Sequence, residues 1–302
     1  TRDWRWGLAI GAALGLGFTS KYHMVLFVPV AVVWLTWTWQ WPKIPLLAVG
    51  AALVTGLLGS LPVLIWNYRN DFDSFRYQIS HGLGRTIYNP VWALEFVGTH
   101  IGLLFPLTLW AIWRAKRESR FNWLYYFGFG PLFFFFISSF KGRPEANWPS
   151  VAYPALLGLA LAVSPTIKWA KATLTVWSAL FVLVCMQIIY PWVPVAPGKL
   201  KTTELTEYDV LAPYVESHAP LYASSFQMAS TLSYKLKKPV FKLQGVGRKD
   251  FFDYLEESRP TAEHFYVAFR EWDKLPEWAS GYTVVTRTQI NPVFHLLELR
   301  KN

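Results

Sequence analysis

The run Ile44–Trp66, IPLLAVGAALVTGLLGSLPVLIW, contains no Asp, Glu, Lys or Arg. A bilayer core about 30 Å thick needs roughly 20 apolar residues in a helix, and this run meets that length. Residues 22–42, 121–140 and 172–198 are equally free of charge. A soluble core helix rarely has so long an uncharged stretch, so these runs predict membrane-spanning helices.

The composition of the chain favours a membrane protein. Its 302 residues are 53% apolar and only 16% charged, whereas soluble domains carry about 25% charged residues. Residues 1–198 hold 15 Lys and Arg against 6 Asp and Glu, and residues 199–302 hold 14 against 13. The basic excess therefore belongs to the apolar part, where loop charges set topology and meet anionic lipid. No nucleic-acid partner is predicted.

We predict a mainly α fold: a polytopic transmembrane helical bundle followed by a small α/β domain. The predicted spans, about seven, are 7–20, 22–40, 44–66, 91–113, 121–140, 148–164 and 170–190. The first contains Gly7, Gly11, Gly15 and Gly17, at spacings that allow close helix packing.

A change of pattern after the proline-rich stretch Pro191–Gly198 marks a second domain. Short helices and strands then alternate, which is typical of a small α/β domain. The predicted helices are 206–218, 225–237 and 249–258, and the predicted strands are 220–224, 240–244, 263–269, 282–287 and 293–299. We therefore predict a transmembrane region over residues 1–194 and a soluble domain over residues 195–302.

Loop charges predict the orientation of the bundle. One set of loops holds nine basic residues against two acids: Arg2, Arg5, Lys43, Arg114, Lys116, Arg117, Arg120, Lys168 and Lys171. The positive-inside rule places these loops in the cytoplasm. Ser20–His23, Asn67–Pro90, Lys141–Trp148 and the chain after Tyr190 then lie outside, which makes the C-terminal domain extracytoplasmic.

The predicted outer loops nevertheless carry several cations. They are Lys21, Arg69, Arg76, Arg85, Lys141 and Arg143. Because basic residues on this side oppose the topology rule, an anionic lipid phosphate is the simplest partner. The alternative is that these basic side chains snorkel to the membrane surface and pair locally with Asp71, Asp73 and Glu145.

One outer loop contains a predicted amphipathic helix. Phe72, Phe75, Ile79 and Leu83 recur every three or four residues and form one apolar face. Asn70 or Asp71 is expected to cap its start, and Gly82 or Gly84 to end it. Such a helix lies in the membrane interface, either as the wall of a lipid-headgroup site or as a plain connector.

Other chemistry-bearing residues are few. Glu95 and His100 fall in the fourth span, where ionisable groups are functional candidates by default. An interfacial carboxylate and a hydrogen-bonded packing histidine are the alternatives. No metal-ligand spacing and no phosphate-binding or dinucleotide motif is present, so the sequence requires no cofactor.

Three segments in order resemble a known family. They are Gly15–Tyr22 (GLGFTSKY), Pro62–Asn67 (PVLIWN) running into Ser74–Gln78 (SFRYQ), and Glu145–Pro149 (EANWP). This set resembles bacterial members of glycosyltransferase family 39, the dolichyl-phosphate-mannose–protein mannosyltransferase-like enzymes of the GT-C superfamily, related to aminoarabinose transferases.

The resemblance implies an enzyme, a hexosyl or pentosyl transferase of the bacterial cytoplasmic membrane. It would move sugar from a polyprenyl-phosphate carrier to a lipid, glycan or protein acceptor on the outer face. Family members have about a dozen or more spans, and their catalytic carboxylate lies in the N-terminal half. We therefore expect this chain to be a C-terminal half, and we carry over no catalytic residue.

Charge placement and the resemblance together give a set of candidate substrate-binding residues. They are Lys21, Tyr22, Asn67, Arg76, Tyr77, Gln78, His81, Lys141, Arg143, Glu145 and Asn147. The cations Lys21, Arg76, Lys141 and Arg143 are expected to stabilise the departing lipid phosphate. The polar residues are expected to orient sugar hydroxyls or the interfacial loop.

Two other functions stay open from the sequence. A lipid or solute transporter predicts charges along a path and discontinuous helices in symmetric pairs. A non-catalytic membrane scaffold predicts a partner-binding outer domain and no acidic pair in an upstream outer loop.

Overall fold

The computed structural model describes residues 3–83, 87–115, 122–163, 167–190, 192–194 and 206–302. The chain divides into an N-terminal unit, Thr1–Trp177, and a C-terminal unit, Ser178–Asn302. Arg2, Arg85, the basic residues Lys116–Arg120 and most of the predicted linker lie outside the described residues. The predicted boundary at residue 195 therefore stays a prediction.

The N-terminal unit is built from helices that follow the predicted spans closely. They are α1 (Arg5–Ser20), α2 (Phe27–Trp37), α3 (Leu46–Arg69), α4 (Asp73–Leu83), α5 (Pro90–Leu104), α6 (Pro106–Ala115), α7 (Asn122–Ser139), α8 (Tyr153–Val163) and α9 (Ile167–Ile189), which continues into the C-terminal unit. Single 3-10 turns, Tyr22–Leu26 and Trp148–Ala152, precede α2 and α8. The prediction of a mostly helical chain is confirmed.

The predicted fourth span, 91–113, is wrong as one continuous helix. The chain breaks between α5 and α6 at Phe105, whose φ is 61°. Pro106 follows, and a proline disfavours the helical conformation in the residue before it. Leu104, Ala111 and Ile112 around the break are buried with Leu156 and Leu159 of α8. The two half-helices therefore share one core.

Two of the described helices are long and apolar enough to cross a membrane by length and composition: Leu46–Arg69 and Lys171–Ile189. The segments Tyr22–Trp37, Pro90–Leu104 and Trp148–Ala162 are apolar but shorter. The count of seven spans thus stays a prediction.

Close packing joins α1 to α3. Gly7, Gly11 and Gly15 are buried on one face of α1, four residues apart as in small-residue helix interfaces. A Cβ placed at these glycines would overlap backbone carbonyl oxygens of Ala48, Ala52 and Gly56 in turn. The residue numbers of the glycines on α1 and of their contacts on α3 increase in the same direction, so α1 and α3 are parallel. The predicted use of these glycines is confirmed for Gly7, Gly11 and Gly15.

The C-terminal unit contains a five-stranded sheet of order β2-β1-β3-β5-β4. The strands are β1 (Leu221–Ala223), β2 (Phe241–Lys242), β3 (His264–Arg270), β4 (Tyr282–Gln289) and β5 (Phe294–Lys301). β1 pairs in parallel with β2 and β3, while β5 pairs antiparallel with β3 and β4. All five lie where strands were predicted.

Helices cover one face of this sheet. α10 (Ala212–Val215) precedes β1, and α11 (Phe226–Leu236) connects β1 to β2. Met228, Ala229 and Leu232 of α11 are buried against β1 residues. Tyr222, Phe265 and Val267 form a second core on the other face. The predicted helix 249–258 is instead two 3-10 turns, Phe251–Tyr254 and Glu256–Ser258.

A buried lysine anchors the loop after β2. Lys242 Nζ lies 2.9 Å from Asp250 Oδ2 and 2.6 Å from Asp253 Oδ2, and it donates to Arg248 O at 2.8 Å. Burial alone raises the pKa of Asp253, but hydrogen bonds from Gly245 N, Lys242 and Asp250 N outweigh burial and lower that pKa below 3.8. The carboxylate is thus charged at neutral pH and pairs with Lys242.

Replacing Gly11 by alanine should destabilise the N-terminal unit, because the new methyl group meets the backbone of α3. Overpacking of this kind costs about 1–3 kcal/mol. The measurement is the thermal unfolding midpoint of the chain in detergent. Gly50→Ala is the matched control, since a Cβ at Gly50 of α3 meets nothing within 4 Å. Equal midpoints for the two variants would contradict the proposed helix contact.

Replacing Asp253 by alanine should weaken the C-terminal sheet by about 3–5 kcal/mol, because it leaves the buried Lys242 ammonium undercompensated. Amide hydrogen exchange of peptides from β1 to β3 measures the effect, with the exposed Glu256→Ala as control. Folding lowers the pKa of Asp253 from its ordinary value of 3.8. The contribution of Asp253 to the free energy of unfolding is therefore complete above about pH 4 to 5. It is lost as pH falls through the folded pKa. Unchanged protection at pH 7 would argue against this anchor.

Candidate functional site

The three predicted outer loops meet at one end of the N-terminal unit. Lys21 Nζ donates to Asn147 O at 2.8 Å, which joins the first loop to the third. Tyr22 Oη lies 2.6 Å from Ser74 Oγ, which joins the first to the second. Asn89 N donates to Phe140 O at 2.9 Å, which closes the second loop against the end of α7. The segments predicted to share one side are therefore neighbours.

Asn67 is the centre of a polar network between α1, α3 and α4. Its side chain is fully buried. Asn67 Oδ1 accepts from Ser74 Oγ at 2.9 Å and from Phe75 N at 3.3 Å. Asn67 Nδ2 donates to Val63 O at 3.0 Å and contacts Tyr22 Oη at 3.4 Å. The rings of Phe18, Tyr22 and Phe75 pack around the network.

This network corrects the prediction for the start of the amphipathic helix. α4 exists as predicted, but its first-turn N–H at Phe75 bonds to Asn67 rather than to a residue at the expected cap. Asp71 and Phe72 have φ of 52° and 57°, so they form the turn that reverses the chain between α3 and α4. Asn67 and Tyr22 therefore position α4.

Lys21 lies in the turn between the first two predicted spans. Partial burial lowers the pKa of its ammonium group, and the nearby Glu145 carboxylate opposes that shift. The adjacent His23 ring packs on Phe135 at 4.9 Å and on Trp148 at 5.7 Å between ring centroids. Lys21, Glu145 and Asn147 are thus brought together as one charged cluster.

Arg143 pairs with a residue of the predicted fourth span. Its Nε lies 2.8 Å from Glu95 Oε2, with 68% and 42% of the two side chains exposed. Exposed pairs contribute only about 0.2–1 kcal/mol, so another anion can replace Glu95 at low cost. The interfacial interpretation of Glu95 is consistent with this pair. His100 is buried and its Nδ1 lies 2.7 Å from Phe96 O, as expected for a packing histidine.

A large apolar groove follows one face of α7. Its volume is about 1140 Å³, above the usual range of small-molecule sites. Tyr125, Phe129, Phe133 and Ile137 lie four residues apart along it, a run of roughly 18 Å. The complete lining is Leu26, Pro29, Val30, Val33, Tyr88, Tyr125, Tyr126, Phe129, Gly130, Phe133, Phe134, Ile137, Ser138, Phe140 and Lys141.

Lys141 is the only charged side chain in this lining. It lies at the outer end of the groove, where Tyr88 stacks on Phe140 with centroids 5.6 Å apart. No residue within the described ranges forms an ion pair or hydrogen bond with the Lys141 ammonium. The groove therefore has a long apolar lining and one cation, Lys141, at its end.

The remaining predicted site residues are not joined to this cluster. Arg76 and Gln78 are exposed on α4, and the described part of the chain supplies no polar partner for either side chain. Tyr77 is half-buried on the same helix and has an interaction partner. The side chain of His81 lies outside what is described.

Sequence reasoning missed several residues of the site. Tyr88 and Ser74 lie in a loop that was interpreted through its charges and its apolar face. The aromatic residues of α7 recur at helical spacing, and that spacing was the available signal for the groove. The Glu95–Arg143 pair had no such signal, because the two residues lie on separate elements.

The described residues contain no group of three or more His, Cys, Asp or Glu side chains placed to hold a metal ion. The side chains that meet at this end of the unit are cations, carboxylates, amides and aromatic rings. Such groups bind an anion and a hydroxylated ligand, and an apolar chain fits beside them.

Comparisons with known proteins agree with this chemistry. The model of the family "Dolichyl-phosphate-mannose-protein mannosyltransferase" matches residues 1–66. An undecaprenyl phosphate-α-4-amino-4-deoxy-L-arabinose arabinosyl transferase of Pseudomonas fluorescens is 34% identical over 178 residues, 54% of this chain and 30% of that relative. A lipid A galacturonosyltransferase of Rhizobium johnstonii is 27% identical over 197 residues, 61% of this chain and 41% of that relative.

The chain spans less than half the length of these relatives. No solved structure matches the chain significantly. These matches point to the same family as the three ordered motifs, which lie around Lys21, Asn67 and Asn147. They agree with the resemblance of part of this chain to glycosyltransferases of the dolichyl-phosphate-mannose–protein mannosyltransferase type.

Proposed function

We propose that this chain forms part of a membrane glycosyltransferase that takes a sugar from a polyprenyl-phosphate carrier. The observation that carries the proposal is the α7 groove, which is apolar along its length and ends at Lys141. A polyprenyl phosphate has the same polarity, because an apolar tail ends in an anionic head. The groove is proposed to hold the tail and Lys141 to bind the phosphate.

The names of the relatives support this choice of donor and suggest an acceptor. One relative is named for an undecaprenyl phosphate-linked aminoarabinose, and another for lipid A. For this chain we propose hexosyl or pentosyl transfer to a lipid, glycan or protein acceptor. The reaction is placed at the outer face of a bacterial cytoplasmic membrane.

The proposed chemistry uses cations at the leaving group. When the bond between the sugar and the phosphate breaks, negative charge develops on the lipid phosphate. Fixed cations at that position stabilise the transition state more than the ground state. Lys141 is positioned by the groove, and Arg143 by an exposed ion pair that a phosphate can replace. Lys21 completes the proposed set. Arg76 stays a sequence prediction, because it is exposed on α4 and not joined to this cluster, and we assign no catalytic base.

The proposed topology has seven spans and an extracytoplasmic C-terminal domain, residues 195–302. Its support is the meeting of the three predicted outer loops through Lys21, Tyr22 and Asn89. The parallel arrangement of α1 and α3, with α2 between them in the chain, fits alternating passage through the membrane. Membrane lipids are then the surrounding partners of the helices.

One observation favours the transporter alternative. The interruption at Phe105 is the kind of broken helix that lines transport sites. The charged residues of the site nevertheless gather at one end of the unit instead of following a path. Flux of a lipid or solute by the purified protein, without any glycosyl product, would favour transport over transfer.

Replacing Lys141 and Arg143 by alanine in the full-length protein should lower the rate of sugar transfer by about 10²–10³-fold, because cations that stabilise the leaving phosphate are lost. The measurement is transfer of labelled sugar from an undecaprenyl-phosphate donor in membranes. Lys43→Ala is the control, since this exposed cation lies in the predicted cytoplasmic loop. Unchanged transfer by the double variant would remove both residues from the site.

Filling the groove should affect donor binding instead. Ile137→Trp places a larger side chain in the lining, and we expect the KM for the polyprenyl donor to rise at least about tenfold with a smaller change in kcat. Val97→Trp is the control, because Val97 is 39% exposed on α5 and does not line the groove. If both variants give the same KM, the groove does not hold the donor.

A further inference from the structure

One loop of the C-terminal unit exposes aromatic and basic side chains together. Phe251 is 71% exposed and Tyr254 is 38% exposed. The Lys249 ammonium lies 4.6 Å from the Tyr254 ring centroid, and the Arg248 guanidinium lies 5.1 Å from that of Phe226. We call Arg248, Lys249, Phe251 and Tyr254 the basic-aromatic surface.

The two adjacent phenylalanines of this loop have opposite environments. Phe252 packs against the buried cluster below α11, whereas Phe251 points away from it and is exposed. The core therefore does not include the ring of Phe251. Phe251 and Tyr254 are three residues apart in one 3-10 turn, so the two exposed rings share a face. An exposed apolar patch of this kind marks an interaction site.

The loop is held in place by the buried Lys242. Its ammonium group binds both acids of the loop, Asp250 and Asp253, and also the carbonyl oxygen of Arg248. Asp250 Oδ1 further accepts from Phe252 N at 3.0 Å. Asp250 and Asp253 are thus turned inward toward Lys242, while Arg248 and Lys249 are exposed on the loop and the exposed Glu256 and Glu257 follow them.

The membrane surface is the partner that fits this chemistry. The C-terminal unit begins with half of an apolar helix, Lys171–Ile189, that is long enough to cross a bilayer. Only residues 190–205 separate that helix from the first described residue of the folded part, and a fully extended chain of that length reaches about 55 Å. The start of the folded part is therefore tethered within that distance of the end of the helix. Aromatic rings beside Lys and Arg are typical of membrane interfaces.

We propose that the basic-aromatic surface docks the C-terminal domain onto anionic lipid headgroups. Arg248 and Lys249 bind the phosphates, while Phe251 and Tyr254 enter the boundary between headgroups and acyl chains. The proposal depends on α9 lying in a membrane and is independent of sugar transfer. If docking is absent, the proposed role of Lys141 in sugar transfer is therefore not affected.

The test places a probe on the surface in the full chain. Cys185 is the only cysteine, so Cys185→Ser with Phe251→Cys gives one site for an environment-sensitive fluorophore. The chain is reconstituted in nanodiscs of phosphatidylcholine alone and in nanodiscs that also contain phosphatidylglycerol. We expect blue-shifted emission in the anionic discs and quenching by spin-labelled lipid.

Two controls make the result specific. Val285→Cys labels β4, at the opposite edge of the sheet from β2, where Val285 is 50% exposed; its emission should not respond to lipid charge. Adding Arg248→Gln and Lys249→Gln to the Phe251 probe should lower the ratio of docked to undocked probe by at least about tenfold.

Equal emission from the Phe251 probe in both kinds of disc, without quenching by spin-labelled lipid, would overturn the proposal. A blue-shifted probe that lipid spin labels do not quench would also overturn it, because a protein surface would then cover the loop. Hydrogen exchange of β1 to β3 in each variant verifies that the domain remains folded.

Discussion

The contact between α1 and α3 positions the polar network that joins two of the predicted outer loops in the N-terminal unit. Gly7, Gly11 and Gly15 bring the two backbones into close contact, in a register that sets them beside Ala48, Ala52 and Gly56. That register places Tyr22, just beyond the end of α1, beside Asn67 near the end of α3. Asn67 in turn binds Ser74 and so attaches α4. A chain of short-range contacts thus extends from a helix interface to the loops.

The parts of the fold that depend on local composition were predictable. Runs without charge located the helices, and alternating short apolar segments located the strands. The break at Phe105 was missed because a hydropathy pattern does not report backbone conformation, although Pro106 was a visible signal. The cap of α4 was missed because Asn67 belongs to the preceding helix, and only the tertiary fold brings it to Phe75.

The kinds of residue in the candidate site were predictable from the sequence. Their interaction partners were less predictable. The excess of cations in the predicted outer loops made Lys21, Lys141 and Arg143 candidates without any structural information. Their partners depend on three-dimensional distance: Asn147 for Lys21 and Glu95 for Arg143. The buried Lys242 was not foreseen either, because a lysine in a short strand gives no sign that two aspartates will surround it.

In the proposed topology, the break between α5 and α6 also limits which side of this span can face the lipid. Where a helix stops, the carbonyl groups of its last turn lose their usual N–H partners, and hydrocarbon offers no replacement. Leu104, just before the break, is only 4% exposed. Leu104 packs with Ala111, Ile112 and residues of α8, so the break has protein on that side, and in the proposed topology this side faces the helical bundle.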